Sequence, residues 1–187
     1  SRVLHELGAE TCAVVLSGGV FGRHLEALIA AEGVACHAVP IAGTTRISMT
    51  VHDEKTGQEY RFVGDGPLVQ PAEIDACLAA LAEENTDWLV ISGSLPRGVT
   101  PEVLAGIVRQ AHAAGRQVVV DSSGPALKAA LGQGLALIKP SLREFEALVG
   151  TALPDPAAQD AAALRLVHEG AAERVAVSLS GDGALLA

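Results

Sequence analysis

The sequence predicts an α/β protein with a mostly parallel sheet, helices on both faces of that sheet, and one β-hairpin outside it. Short, almost continuously apolar runs such as "WLVIS" and "QVVVD" alternate with helical patterns along the chain. Parallel strands have this composition because crossover helices bury both of their faces. The segment at residues 45–63 instead alternates around the turn "DEKTG", which is typical of an antiparallel hairpin. We therefore expect the hairpin to serve as a flap or as a surface between subunits.

The first half of the chain gives clear helix and strand patterns. In the second helix, Leu25, Leu28 and Ile29 form an apolar stripe that ends at Gly33. The first helix likewise ends at a glycine, Gly8. In order, the predicted elements are a helix at 1–8, a strand at 11–16, a turn at 17–19, a helix at 21–33, a strand at 34–41, the hairpin and a helix at 72–84.

The second half returns to regular alternation of strands and helices after Pro71. Its apolar runs are four to six residues long and are rich in Val, Ile and Leu, as expected for buried strands. In order, the predicted elements are a strand at 88–92, a helix at 101–114, a strand at 117–121, a short helix near 126–131, a strand at 135–138, a helix after Ser141, a helix at 157–169 and a strand at 174–179.

Composition and charge exclude several classes of protein. The 187 residues, 49% hydrophobic and 3% aromatic, suit one globular domain with an aliphatic core. The net charge of −9 argues against a nucleic-acid-binding surface. No apolar run approaches the roughly 18 residues of a membrane span, so we expect no membrane insertion and a cytoplasmic location. Cys12, Cys36 and Cys77 are far apart and lie in apolar segments, so we predict free core cysteines in a reducing compartment.

Polar and glycine-rich residues follow the predicted strands. In open α/β sheets, ligands bind outside the carboxyl ends of the strands, so these residues are the candidates for a site. They are residues 17–19, 92–94, 121–123, 139–141 and 178–183.

Each candidate also has a purely structural interpretation. The segment "SGSLPRG" offers hydroxyls and amides to an oxygen-rich ligand, or is a plain βα turn. Asp121 would attract a metal or a hydroxyl, or begin an Asx-turn. The string "SLSGDG" would bring backbone close to a phosphate, or is a hairpin turn. Arg46 is suited to bidentate contact with phosphate, or is a solvated surface residue. The residues alone leave these alternatives open.

Ser141 and Glu144 have the Ser-x-x-Glu spacing of a capping box, directly before the apolar residues of a helix. The same two side chains would also stand at the mouth of a site at the sheet edge. On the motif alone, the capping interpretation is favoured because capping boxes are common and need no chemistry.

Several well-known catalytic motifs are absent from the sequence. There is no G-x-x-x-x-G-K-[ST], no G-x-G-x-x-G, no H-E-x-x-H and no G-x-S-x-G. The six histidines are dispersed and do not have metal-ligand spacing. P-loop, dinucleotide-binding, zinc-protease and serine-hydrolase functions are therefore not supported.

Five segments in order resemble the PfkB branch of the ribokinase-like sugar kinases. They are "TTRISMTVHDEKTGQEYRFV", "LVISGSLPRGV", "VVVDSSGPAL", "LIKPSLREFEALVG" and "RVAVSLSGDGALL". The likeness is greatest to minor-type 6-phosphofructokinases, with 1-phosphofructokinase and tagatose-6-phosphate kinase as near relatives. It implies a single partial ribokinase-like domain over residues 1–187, with residues 43–66 as a β lid that covers the sugar and forms a homodimer contact.

The resemblance also implies a reaction and a set of site residues. The reaction is magnesium-dependent transfer of the ATP γ-phosphoryl group to a sugar-phosphate hydroxyl, above all from fructose 6-phosphate to fructose 1,6-bisphosphate. Arg46 and Ser94 match residues that meet the sugar phosphate. Glu144 and Asp121 match acids of the magnesium region. The residues that match the nucleotide site are Lys139, Ser141, Ser178, Ser180, Gly181 and Gly183.

Two departures from the family pattern matter. Ser141 stands where the family usually has Asn, which puts the metal or water contact at that point in doubt. The family's catalytic base motif would lie beyond Ala187, and its N-terminal substrate segment before Ser1, so we expect a central fragment that is inactive alone. A non-catalytic sugar- or nucleotide-binding regulatory module is the alternative from another class. A kinase for nucleosides or unphosphorylated sugars is disfavoured, since Arg46 would have no purpose there.

Overall fold

The computed structural model describes all residues from Ser1 to Ala187 and shows seven α-helices and nine strands. The helices are α1 Arg2–Glu6, α2 Gly19–Ala31, α3 Pro71–Glu83, α4 Pro101–Ala113, α5 Gly124–Ala130, α6 Leu142–Val149 and α7 Pro156–His168. The strands are β1 Cys12–Ser17, β2 Ala35–Pro40, β3 Ser48–His52, β4 Glu59–Val63, β5 Trp88–Ser92, β6 Gln117–Asp121, β7 Leu135–Ile138, β8 Ala176–Ser178 and β9 Ala184–Leu186.

The chain forms two compact units. The first contains Ser1–Asn85 and the short segment Pro96–Val99, and the second contains Thr86–Leu95 and Thr100–Ala187. In the first unit, β1 and β2 pair in parallel, and α2 connects them as the crossover helix. This is the expected arrangement, since parallel neighbours need a long connection.

The predicted hairpin is present in the first unit, where β3 and β4 pair in antiparallel register. Its turn is closed by Asp53, whose carboxylate accepts hydrogen bonds from the Lys55 amide at 2.9 Å and from the Thr56 hydroxyl at 2.8 Å. Because side chains alternate between the faces of a strand, the register places four exposed apolar residues on one face. These residues are Met49, Val51, Tyr60 and Phe62.

In the second unit, β5, β6 and β7 form a parallel sheet in that order. Isolated parallel bridges from Ile138 to Val175 and from Ser141 to Ser178 bring β8 alongside β7. Strand β9 pairs with β8 in antiparallel fashion. The core of this unit is aliphatic except for Phe145, whose exposed fraction is 0%. Burial of these apolar side chains is the main stabilising contribution.

Helix starts in this chain follow recognisable local rules. Helices α3, α4, α5 and α7 have proline in their first turn, where the missing N–H costs no hydrogen bond. Asp155 caps α7 by accepting the Ala158 amide at 2.8 Å. Helix α6 ends at Gly150 in the left-handed conformation, with φ of 75°.

The observed elements confirm the predicted order of helices and strands, with ends that differ by a few residues. The prediction that the three cysteines lie in the core is wrong: Cys12, Cys36 and Cys77 are free and only partly buried. Two of them lie on the two-stranded β1–β2 sheet, whose strands are mostly only partly buried. None of the helices combines the length and the apolar composition that a membrane-spanning segment requires.

Candidate functional site

The loops that follow β5, β6, β7 and β8 lie side by side in the second unit. The Gly93 amide donates to the Asp121 carbonyl at 2.9 Å, which joins the ends of β5 and β6. The Lys139 amide donates to the Val120 carbonyl at 3.0 Å, and the Ser178 amide donates to the carbonyl of Pro140 at 3.0 Å. Four of the five predicted strand-end segments therefore form one edge.

Lys139 and Asp121 form an ion pair at this edge, with 3.2 Å between Nζ and Oδ1. Both side chains are partly exposed, at 47% and 38%. Solvent therefore screens the attraction, and the ammonium group remains accessible to an anion. The positive charge of Lys139 partly balances the negative charge of the Asp121 carboxylate.

Ser141 and Glu144 form the predicted capping box at the start of α6. The Ser141 amide and hydroxyl both donate to Glu144 Oε2, at 2.8 and 2.7 Å, and the Glu144 amide donates to the Ser141 hydroxyl at 3.4 Å. The capping interpretation is therefore confirmed. A role of the same residues in binding remains a prediction.

Hydrogen bonds lower the pKa of the Glu144 carboxyl group. The main cause is the Ser141 backbone N–H, followed by the Ser141 hydroxyl. Partial burial opposes this effect, while the Lys139 charge and the Ser123 hydroxyl add to it. Since both helix-capping and charge interactions favour the ionised form, Glu144 carries its negative charge at neutral pH.

An open cleft of about 520 Å³ lies beside Glu144. Ser123, which lies in the predicted strand-end segment 121–123, lines it, as do two charged residues that sequence reasoning missed, Lys128 and Arg143. Arg143 lies beside the capping box, but its type and spacing carried no specific signal. Lys128 lies on α5, and only the packing of α5 against α6 brings it to the cleft.

The segment from Ser178 to Gly183 joins β8 to β9 through a 3-10 turn at Ser180–Asp182. The Leu179 amide donates to the Gly183 carbonyl at 2.8 Å, so the hairpin interpretation of this string is confirmed. Ser180 has a positive φ of 55°, which is uncommon for a residue with a side chain. No atom lies within 4 Å of the space that a side chain at Gly181 would enter, so the backbone there is open to a ligand.

The two residues predicted to meet the sugar phosphate belong to different units. Ser94 lies in the second unit, in the loop that follows β5. Arg46 lies in the first unit, just before β3, and its side chain is exposed. Its Nη1 donates to the Gly64 carbonyl at 3.4 Å, across the root of the hairpin.

Asp121 and Glu144 are the candidate magnesium-binding acids of the second unit. No three or more His, Cys, Asp or Glu side chains are grouped so that they could hold a metal ion. A metal held by protein side chains alone is therefore not supported. Magnesium commonly uses only one or two carboxylates and completes its coordination with water and phosphate oxygens. Glu144 and Asp121 fit that looser requirement.

Comparison with known proteins identifies clear relatives. The sequence matches the family described as pfkB family carbohydrate kinase over residues 1–187. It is 40% identical over 187 residues to the ATP-dependent 6-phosphofructokinase isozyme 2 of Escherichia coli and 38% identical over 189 residues to that of Mycobacterium tuberculosis. These alignments cover 99% and 100% of this chain. A 1-phosphofructokinase of Rhodobacter capsulatus and a tagatose-6-phosphate kinase of Staphylococcus epidermidis are 35% and 30% identical.

The fold agrees with these sequence matches. The crystal structure of phosphofructokinase-2 from Escherichia coli in complex with substrates and products superimposes with a TM-score of 0.94 at 39% identity, over 100% of this chain and 61% of that one. Among curated relatives, the chain spans 60% of the Escherichia coli isozyme and 56% of the Mycobacterium tuberculosis isozyme. The ribokinase-like α/β fold predicted from the sequence is confirmed.

Proposed function

Because the chain belongs to the pfkB family of carbohydrate kinases, we propose that its protein transfers the γ-phosphoryl group of ATP to a hydroxyl of a sugar phosphate. The proposed substrate is fructose 6-phosphate and the proposed product is fructose 1,6-bisphosphate. The observation that carries this choice is the 40% identity to a 6-phosphofructokinase over the whole chain. The 1-phosphofructokinase and tagatose-6-phosphate kinase reactions are the alternatives within the same class.

The second unit would bind the nucleotide. Phosphoryl transfer depends mainly on positioning and on neutralising charge. Lys139 offers a partly exposed ammonium group, and the N-terminus of α6 presents its partial positive charge at the same edge. The turn after β8 offers open backbone beside it. The residues proposed to contact the nucleotide are Lys139, Ser141, Ser178, Ser180, Gly181 and Gly183.

Magnesium is proposed to bind with the nucleotide at Glu144 and Asp121. When bound, the ion would neutralise charge on the phosphate oxygens. Glu144 is suited to this role because its capping contacts hold the carboxylate in place and favour its ionised form. Asp121 would contact both the ion and the ammonium group of Lys139.

Arg46 and Ser94 are proposed to recognise the sugar phosphate. The planar guanidinium of arginine matches two phosphate oxygens at once, and a serine hydroxyl can donate to or accept from a sugar hydroxyl. This assignment favours a phosphorylated substrate over a nucleoside or a free sugar. Arg46 lies at the root of the hairpin, which is where a lid would carry a residue onto a bound substrate.

The hairpin is proposed to act as a β lid and as a homodimer contact. Its exposed face with Met49, Val51, Tyr60 and Phe62 is apolar, and apolar faces of this kind are typical of interfaces. Phosphofructokinase-2 of Escherichia coli has been solved in a tetrameric inhibited form, so larger assemblies occur in the family. A cytoplasmic location is proposed because ATP and sugar phosphates are the proposed substrates.

The catalytic base is proposed to lie beyond Ala187. The 187-residue polypeptide should therefore show no useful kinase activity, and turnover by a purified chain of verified mass would contradict this. Ser141 stands where the family usually has Asn, and this difference gives slight support to a second candidate, a non-catalytic regulatory module. ATP-dependent phosphorylation of fructose 6-phosphate by the full-length protein separates the two.

The role of Arg46 is tested in the full-length protein with Arg46→Ala. The KM for the sugar phosphate should rise well beyond any change in the KM for ATP, because Arg46 is proposed to contact the sugar phosphate and not the nucleotide. Arg109→Ala is the matched control, since Arg109 is an exposed arginine on α4 in the second unit, where its Nη1 donates to Gln133 at 2.8 Å. Equal effects of Arg46→Ala on both KM values would contradict the assignment.

A further inference from the structure

The loop from Ile41 to Thr45 carries the chain from β2 into the hairpin and ends directly before Arg46. One side of this loop is bound to the turn after β1. The Ile41 amide donates to the Ser17 carbonyl at 2.9 Å, and the Thr45 amide donates to the Gly18 carbonyl at 2.9 Å. The Gly18 amide donates back to the Thr45 hydroxyl at 3.0 Å. Both ends of the loop are thus fixed on this side.

Glu73, in the first turn of α3, holds the other side of the loop. Its Oε1 accepts the Ala42 amide at 2.6 Å, and its Oε2 accepts the Gln70 amide at 2.7 Å. The Gln70 bond belongs to the capping box of α3. The Ala42 bond does not, because Ala42 lies 31 residues earlier in the chain. One carboxylate therefore joins the start of a helix to a distant loop.

Close packing leaves this loop little freedom to move. A methyl group at Gly43 would overlap the ring of Pro67, so backbone and proline are already in close contact there. A methyl group at Gly66 would lie 3.3 Å from Cδ of Arg46, so the arginine side chain runs along this backbone. The bond from Ala42 to Glu73 thus holds a second side of the loop that ends directly before Arg46.

We propose that Glu73 is a positioning residue for sugar-phosphate binding, which fixes the place of Arg46 by joining the N-terminus of α3 to the loop that leads into the hairpin. The inference rests on the proposed role of Arg46. It goes beyond that role because Glu73 is not among the residues proposed to contact the substrate, and nothing in the sequence pattern marked it.

The charge state of Glu73 agrees with this role. The Gln70 N–H, followed by the Ala42 N–H, lowers the pKa of the Glu73 carboxyl group, so it is ionised at neutral pH. Hydrogen bonds from backbone N–H groups to an ionised carboxylate are stronger than those between neutral groups. The two hydrogen bonds to the Glu73 carboxylate are therefore charge-assisted at neutral pH, where a kinase would work.

The test uses Glu73→Ala and Glu73→Gln in the full-length protein. Glu73→Ala removes both bonds, and the KM for fructose 6-phosphate should rise about tenfold or more as Arg46 loses its fixed position. Glu73→Gln keeps only one acceptor oxygen and should have an intermediate effect. The kcat and the KM for ATP should change less than about twofold, because small surface changes away from the site have little effect.

Glu102→Ala is the matched control. Glu102 is also an acid in the first turn of a helix that begins with proline, and its pKa is lowered mainly by the Thr100 hydroxyl in its own capping segment. It has no bond to a distant loop, so neither KM should change. Hydrogen exchange gives a second readout: the amides from Ala42 to Arg46 should exchange faster in both Glu73 variants and not in Glu102→Ala.

The outcomes separate this inference from the proposed function. Unchanged exchange at these amides in Glu73→Ala would overturn the inference whatever the activity. Faster exchange with an unchanged KM for fructose 6-phosphate would also overturn it, because the Glu73 bonds would then not determine the position of Arg46. If the wild-type protein does not phosphorylate fructose 6-phosphate, the proposed function fails, and the dissociation constant of that sugar phosphate replaces the KM in the same comparison.

Discussion

Lys139 and Asp121 hold their charged atoms 3.2 Å apart at the ends of the neighbouring strands β7 and β6. Both side chains keep substantial contact with solvent. Exposed pairs of this kind contribute about 0–1 kcal/mol to folding. The pair therefore contributes little to the stability of the fold, and we expect it to matter more to the proposed ligand at the sheet edge.

Asp121→Asn tests this distinction. The free energy of unfolding should change by less than about 1 kcal/mol, as measured by urea denaturation. In the full-length protein, kcat/KM for phosphoryl transfer should fall by about tenfold or more, because a carboxylate proposed to bind magnesium is lost. Activity within twofold of wild type would show that Asp121 has no part in the reaction.

Ser141→Ala should destabilise the chain by about 1 kcal/mol, since the α6 amide at Glu144 loses its capping hydroxyl. Ser141→Asn should be nearly neutral because Asn is an equally good cap. Asp155→Ala at the start of α7 is the control, with a loss of similar size at a helix that does not line the cleft. A neutral Ser141→Ala would mean that the capping box does not stabilise α6.

Glu144→Gln should lower the stability of the chain at neutral pH. The pKa of Glu144 is lowered in the folded state, mainly by the Ser141 N–H. The stabilisation from its charge is therefore fully present above the ordinary glutamate pKa of about 4.3 and is lost as the pH falls through the folded-state value. Urea denaturation of both proteins between neutral and acidic pH should show their difference shrinking. A difference that does not depend on pH would contradict the proposed origin.

Phe145→Ala should cost about 3–5 kcal/mol, because the ring is fully buried and its removal leaves a cavity. Phe145 directly follows Glu144, so it anchors the helix that carries the capping carboxylate. Phe21→Ala is the comparison, and its cost should be clearly smaller, since that ring is 45% exposed. Thermal unfolding followed by circular dichroism measures both losses, and equal losses would place the core elsewhere.

Gly18→Ala should destabilise the first unit by about 1–3 kcal/mol. A methyl group there would overlap the carbonyl oxygen of Gly43, and backbone cannot move aside as a flexible side chain can. At Gly64 no atom lies within 4 Å of the corresponding position, so Gly64→Ala should be close to neutral. Similar midpoints of urea unfolding for the two variants would contradict this packing.

Much of the fold was predictable because local rules and tertiary packing agree in this chain. The buried strand "QVVVD", the capping residues Ser141 and Glu144, and the hairpin turn at Asp53 each form the structure that their pattern favours. The gathering of Asp121, Lys139 and Ser178 was predictable too, because parallel strands end at one edge of their sheet.

Other features depend on contacts between residues that are far apart in the sequence. The bond from Ala42 to Glu73 spans 31 residues and uses a glutamate that looks like an ordinary helix-start acid. Lys128 reaches the cleft only because α5 packs beside α6. Cys12 and Cys36 are partly exposed because most residues of the β1–β2 sheet are only partly buried. The burial of a sheet depends on what packs against it, so the residue type alone did not predict this exposure.

The short segment Pro96–Val99 belongs to the first unit although the chain on both sides of it belongs to the second. There, the Val69 amide donates to the Arg97 carbonyl at 2.8 Å, and Arg97 forms a parallel bridge with Leu68. The polypeptide therefore crosses between the units three times, and no single cut of the chain separates the two units. Recombination or gene fission at any one point would leave one fragment without part of its own unit.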